Sequence, residues 1–203
     1  MSEFRRKLLV ANAPYRLIDY IVNSNQSSRI ITNCAPLNDN NYKFEVDCYV
    51  EARDTSREWG MIFANAGTDS VNKKWCVNFN NSNNMLRALL NSNSNQNVYI
   101  SNNSGFVGKR LFITLTSTQF KVNNQTANAS GNKGGTWIAD NFMQINEDTN
   151  NAPIIRYYAI NAYYNNNLIH QYKPCITSNG VYTMVDVLNN YICEVNGNAW
   201  SGN

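Results

Sequence analysis

The chain has 203 residues, of which 43% are hydrophobic and only 15% charged, with a net charge of +3 at neutral pH. That length suits a single all-β sandwich with a full inter-sheet core. The small, scattered charge argues against a nucleic-acid partner, and no apolar run approaches the roughly 20 residues of a membrane span.

Residues 1–13, "MSEFRRKLLVANA", hold the one basic cluster. The apolar run Leu8-Leu9-Val10-Ala11 is shorter than the roughly seven residues a signal-peptide core needs. The segment reads as an N-terminal arm, with Phe4, Arg5, Arg6, Lys7, Leu8 and Leu9 available to dock onto a larger assembly. A frayed terminus is the plain alternative.

From Pro14 onward, strand signals recur between short polar turns. "YRLIDYIV" (Tyr15–Val22) opens the domain and "SRIITNC" follows. "YKFEVDCYVEA" (Tyr42–Ala52) alternates, which puts Phe44, Val46, Cys48 and Val50 on a buried face and Glu45, Asp47, Tyr49 and Glu51 on a solvent face. "WGMIFANAG", "KWCVNFN", "MLRALLN" and "NVYIS" come next, then "KRLFITLTS". Length and neighbours favour a strand over a helical turn for "MLRALL". A hairpin follows, with "QFKV" and "QTAN" flanking Asn123-Asn124, a pair suited to positive φ. After the "GNKGG" loop and "TWIADNFMQINED", the last fifty residues read as two strand pairs and a glycine-punctuated tail that closes the sandwich. With no linker, composition break or internal repeat, residues 14–203 form one domain. About a dozen short strands without a helical period predict a two-sheet antiparallel jelly roll.

The 38 asparagines supply much of the polarity, and Asn suits tight turns. An AT-rich genome produces the same bias, so it is not by itself a sign of sugar binding. Five cysteines (Cys34, Cys48, Cys76, Cys175, Cys193) with no Cys-x-x-Cys pair point to reduced, mostly buried thiols in a protein made in a cytoplasm. One disulfide remains compatible with that count. No metal or other cofactor is expected, because the cysteine spacing is wrong for zinc and His170 is the only histidine. That single His, inside a strand, reads as a hydrogen-bonded structural residue and argues against Ser-His-Asp or Cys-His catalysis.

The two ends of the chain carry a resemblance. "PYRLIDYIVNSNQSSRIITN" resembles the opening strand of a group of concanavalin A-like (laminin-G-like) domains abundant in phages of gut bacteria, with its Tyr-x-x-x-x-Tyr-Ile segment. The "MSEFRRKLL" leader is similar to the basic leader common in that group. "RYYAINAYYNNNLIHQYKPC" resembles the penultimate hairpin, an aromatic strand turning at an Asn pair. "GVYTMVDVLNNYICEVNGNAW" resembles the closing segment, in which Asp186 matches an Asp that caps a turn or bonds backbone amides. The likeness is weakest between Asn65 and Asn103.

The resemblance implies a phage virion component, a head or tail fibre or a capsid decoration protein, made in the host cytoplasm. Such a protein contacts other virion proteins through the arm, presents a lectin-like jelly roll to host glycans, and forms a homo-oligomer, commonly a trimer in fibres. A bacterial surface carbohydrate-binding or adhesion module is the alternative. A glycoside hydrolase is the third reading. Laminarinase-type enzymes share the jelly roll and carry Glu-x-Asp-x-Glu or Glu-x-Asp-x-x-Glu on one strand face, while here Glu45, Asp47 and Glu51 depart from both spacings. On an unbulged strand, Glu45 and Glu51 stand roughly 20 Å apart and Glu45 and Asp47 roughly 7 Å at Cα, against about 5–5.5 Å between carboxyls in a retaining enzyme. The expectation is therefore no catalytic residue.

Sugar sites use flat aromatic faces and amide or carboxylate hydrogen bonds. The ligand-binding candidates are Trp59, Trp137, Tyr49, Tyr99 and Tyr163, whereas Trp75 and Trp200 lie among alternating apolar residues and are expected in the core.

Overall fold

The computed structural model describes residues 14–23, 28–36, 39–53, 59–65, 75–80, 83–90, 97–129, 143–145, 153–197 and 200–203. The arm residues Phe4 to Leu9, and Trp137, lie outside them. All the regular structure among the described residues is β.

In chain order, short strands β1 (Tyr15–Leu17), β2 (Ile21–Asn23) and β3 (Arg29–Ile31) precede the long β4 (Tyr42–Ala52). Next come β5 (Trp59–Asn65), β6 (Trp75–Asn80), β7 (Met85–Leu90) and β8 (Asn97–Ser101). They are followed by β9 (Lys109–Thr116), β10 (Gln119–Val122), β11 (Gln125–Asn128) and β12 (Met143–Ile145). The C-terminal part contains β13 (Ile154–Tyr164), β14 (Asn167–Thr177), β15 (Tyr182–Asp186), β16 (Tyr191–Ile192), β17 (Glu194–Asn196) and β18 (Trp200–Gly202).

These strands make two sheets, and every pairing is antiparallel. The larger runs β11-β10-β9-β4-β13-β14-β15-β16, with β1 beside β14, β2 beside β13, and β18 beside β2. The smaller runs β17-β3-β12-β5-β6-β7-β8. The C-terminus closes both sheets as the sequence predicts: β17 joins β3 and β18 joins β2. Gly202 is needed at that closure, because a Cβ there would run into the Tyr20 carbonyl oxygen and sit 2.7 Å from Ile18 Cδ1.

The inward faces of the two sheets share one core. Phe44 on β4 packs 5.5 Å from Phe63 and 5.2 Å from Trp75 on the opposite sheet, ring centre to ring centre. The Tyr157 hydroxyl donates across the gap to the Ile62 carbonyl at 2.7 Å, so a fully buried phenol is satisfied. Trp75 and Trp200 are core residues as expected, and all five cysteines are buried free thiols. Burial pushes the Cys34 and Cys175 thiols up to about 12, which keeps them protonated and unreactive at neutral pH.

Asparagines set two of the hairpins. Asn165 and Asn166, with φ of 50° and 63°, form the two-residue connection between β13 and β14, the turn whose twist matches the flanking strands. In the β10–β11 turn only Asn123 of the predicted pair has positive φ, at 53°. Its side chain binds β9: Oδ1 accepts from the Phe112 amide at 2.9 Å and Nδ2 donates to the Arg110 carbonyl at 3.2 Å.

Candidate binding face on the large sheet

β4 alternates buried and half-buried residues along its length, so its outward side chains form a surface with those of β9 and β13. The register arranges them in rows. Thr116, Lys43 and Tyr163 form one, Thr114, Glu45 and Asn161 the next, then Phe112, Asp47 and Ala159, and finally Arg110, Tyr49 and Arg156. A bulge between Tyr157 and Ala159 breaks the alternation of β13. Tyr157 points into the core, while Tyr158 and Ala159 both reach the outward side.

Each carboxylate on this face has its own cation. Lys43 Nζ lies 2.8 Å from Glu45 Oε1, and Arg110 grips Asp47 with two bonds of 2.8 Å. Arg156 Nε bonds Glu51 Oε1. The cations also rest on rings: Lys43 Nζ is 3.7 Å from the Tyr163 centroid, and Arg110 Cζ is 4.1 Å from that of Tyr158. Arg156 Cζ is 4.8 Å from the Tyr20 ring and 5.7 Å from the Tyr49 ring. This pairing corrects the expectation of largely solvent-facing acids. Glu45, Asp47 and Glu51 point outward, yet their side chains are only 35%, 23% and 28% exposed. Burial pushes the Glu45 carboxyl upward, but hydrogen bonds from Lys43 and Tyr163, the second at 2.8 Å, outweigh it and hold the pKa below the ordinary value. Glu45 is thus ionised at neutral pH.

Between β9, β4 and β13 lies a groove of about 250 Å³, lined by Glu45, Asp47, Phe112, Thr114, Ala159 and Asn161. Its shape follows from the rows: the small Ala159 opposite Asp47 leaves space, and Phe112, 55% exposed, stands beside it. Asn161 stands beside Glu45 in the lining, and its Oδ1 is buried without a hydrogen-bond partner. A larger cavity of about 320 Å³ near the C-terminus is bounded by Val181, Tyr182, Val195 and Trp200 with Gly180 and Gly197. Among the described residues its wall holds no charged side chain, so these offer less to a polar ligand than the groove does.

The structure brings Tyr49 and Tyr163 onto the same outward face, on opposite sides of the groove. Tyr99 is 43% exposed on β8, an edge strand of the other sheet, and takes no part in it. Trp59 opens β5 opposite Asn80, and its side chain lies outside the described residues. Sequence reasoning missed Phe112, Arg110, Tyr158 and Asn161. The signal for Phe112 was present: Leu111, Ile113 and Leu115 claim the inward face of "KRLFITLTS" and leave a phenylalanine pointing out.

His170 on β14 and Asp186 on β15 meet where the two sheets are tied together. Asp186 is fully buried; its Oδ2 lies 2.6 Å from His170 Nδ1 and accepts from Asn189 and Asn33 at 2.6 and 3.3 Å. Its Oδ1 accepts from the Gln171 and Leu188 amides. The predicted amide-binding, turn-capping role is what the geometry shows. Asn33 follows β3 of the small sheet and also accepts from the Tyr172 hydroxyl at 2.8 Å, so this polar knot links the sheets. Burial pushes the Asp186 carboxyl up, but the bonds from Asn189, His170, Gln171 and Asn33 prevail and lower its pKa.

A scan against protein-family models and a search of curated proteins return no match for this chain.

Proposed function

We propose that the protein is a non-enzymatic virion component, a fibre or capsid decoration protein of a phage, whose sandwich is a concanavalin A-like jelly roll presented to host-surface glycans. The virion assignment and the oligomeric, trimer-type assembly rest on the resemblance at the two ends of the chain. The glycan role rests on one observation, the groove on the outward face of the large sheet. Phe112 offers an exposed ring to the apolar face of a sugar, with Glu45 and Asp47 beside it to accept hydroxyl hydrogen bonds. At about 250 Å³ the groove suits a short saccharide. Residues 1–13 serve as the arm that contacts neighbouring virion proteins.

A glycan array probed with the full chain and with a variant beginning at Pro14 tests this. Specific binding that survives truncation supports attachment by the sandwich. Silence from both forms leaves an architectural virion protein.

Glu45 and Asp47 share the groove, and this favours a second reading, glycoside hydrolysis. The ion pairs weigh against it, because a retaining hydrolase needs one carboxyl kept protonated as the acid, and Glu45 is held ionised. Release of reducing sugar from any oligosaccharide bound on the array, lost in Glu45→Gln, would move the assignment to an enzyme.

A further inference from the structure

We infer that the groove selects uncharged saccharides and turns away acidic ones such as sialylated or uronate-bearing chains. This rests on the glycan-binding reading above and specifies its ligand class. The argument is an inventory of donors and acceptors. An ionised carboxylate only accepts hydrogen bonds, and the groove has two, Glu45 and Asp47. Two neighbouring cations stand outside the lining and are already engaged, and a third, the exposed Lys121 on β10 beside Thr114, also stands outside it. Lys43 is bound to Glu45 and lies over Tyr163; Arg110 is bound through two nitrogens to Asp47 and lies against Tyr158. Asn161 brings no charge to the lining, and its Oδ1 is buried without a hydrogen-bond partner.

A sugar hydroxyl supplies the donor these acceptors lack, and its bond to a carboxylate is charge-assisted. A carboxylated or sulfated sugar in the same place meets two like charges, and no cation is among the described residues of the lining. Phe112 completes the selection, since its exposed ring favours a ring face of C–H groups and offers an anion nothing.

The test presents neutral oligosaccharides and the same chains capped with sialic or glucuronic acid, pair by pair, to the full chain and to Phe112→Ala and Glu45→Gln. Circular dichroism melts verify that both variants are folded. The neutral member of a pair should bind about tenfold or more tighter than its acidic partner. Glu45→Gln should narrow that ratio severalfold, and Phe112→Ala should abolish binding of both. Equal binding of the acidic member, still abolished by Phe112→Ala, overturns the selectivity and leaves the groove as the glycan site. A neutral preference untouched by both substitutions places the site elsewhere and overturns the inference while the glycan reading stands. Binding of neither member in any pair overturns the glycan reading itself.

Discussion

Two short rows of side chains, one on the outward face of each sheet, have opposite fates. On the large sheet Phe112, Asp47 and Ala159 lie abreast, half-exposed, polar in the middle and hollowed by the alanine. On the small sheet Ala64, Cys76 and Leu89 lie abreast, all buried, and with Met61 form an apolar cluster separate from the inter-sheet core. The strand patterns record the same contrast: β4 alternates from Tyr42 to Glu51, whereas the first five residues of β6 are all buried. A sheet covered on one side alternates, and one covered on both reads as a continuous buried run. The lesson is that at these rows the large sheet's outward surface is open and the small sheet's is covered, and charges that would weaken a core can be used on the open one.

Substitutions can break this comparison. The inward face is common to both sheets and sets the upper end of the scale. Val46→Asp places an unpaired charge in the core and should cost about 4 kcal/mol or more, seen as loss of soluble protein or of a cooperative melt. An unchanged melting temperature would mean that the faces of β4 are assigned backwards.

Next in size is a matched pair on the two outward faces. Leu89→Thr, at a residue 3% exposed, should cost roughly 2–4 kcal/mol by chemical denaturation. Phe112→Thr, at 55% exposure, should cost about 1 kcal/mol or less. Equal losses would erase the distinction between the sheets.

Acid sharpens it differently. Asp186 has a folded-state pKa below its ordinary value, so its stabilisation is present above the unfolded pKa and is lost as pH falls through the folded one. Stability should therefore decline from about pH 4 downwards, and Asp186→Asn should flatten that limb while lowering stability at neutral pH. The smallest effect expected is that of Arg110→Ala. Its guanidinium is 48% exposed, so solvent screens the pair with Asp47 and the loss should be under about 1 kcal/mol and should shrink further in high salt.

How much of this was legible in the sequence depended on distance along the chain. The faces of β4 follow from a period of two, and the β13–β14 turn follows from adjacent asparagines able to adopt positive φ. The closure by β17 and β18 was visible as a tail of short strand signals. The groove was not. It needs Arg110 beside Asp47, 63 residues away, and a bulge that turns Tyr158 and Ala159 out together, both of which depend on strand register set by tertiary packing. The knot at Asp186 is a similar case: its structural role could be read from the strand, but its partner Asn33, 153 residues distant, could not. Phe112, an exposed ring that lines the groove, is neither Trp nor Tyr, the residue types that mark sugar platforms in a sequence.

The account stands or falls on where a ligand touches the sandwich. The direct measurement is amide chemical-shift mapping of the 23.0 kDa chain during titration with a neutral oligosaccharide bound on the array. The account predicts shifts confined to Glu45–Asp47, Phe112–Thr114 and Ala159–Asn161, with β5 to β8 silent. Shifts centred on β8 around Tyr99, or on the C-terminal cavity by Trp200, would contradict it.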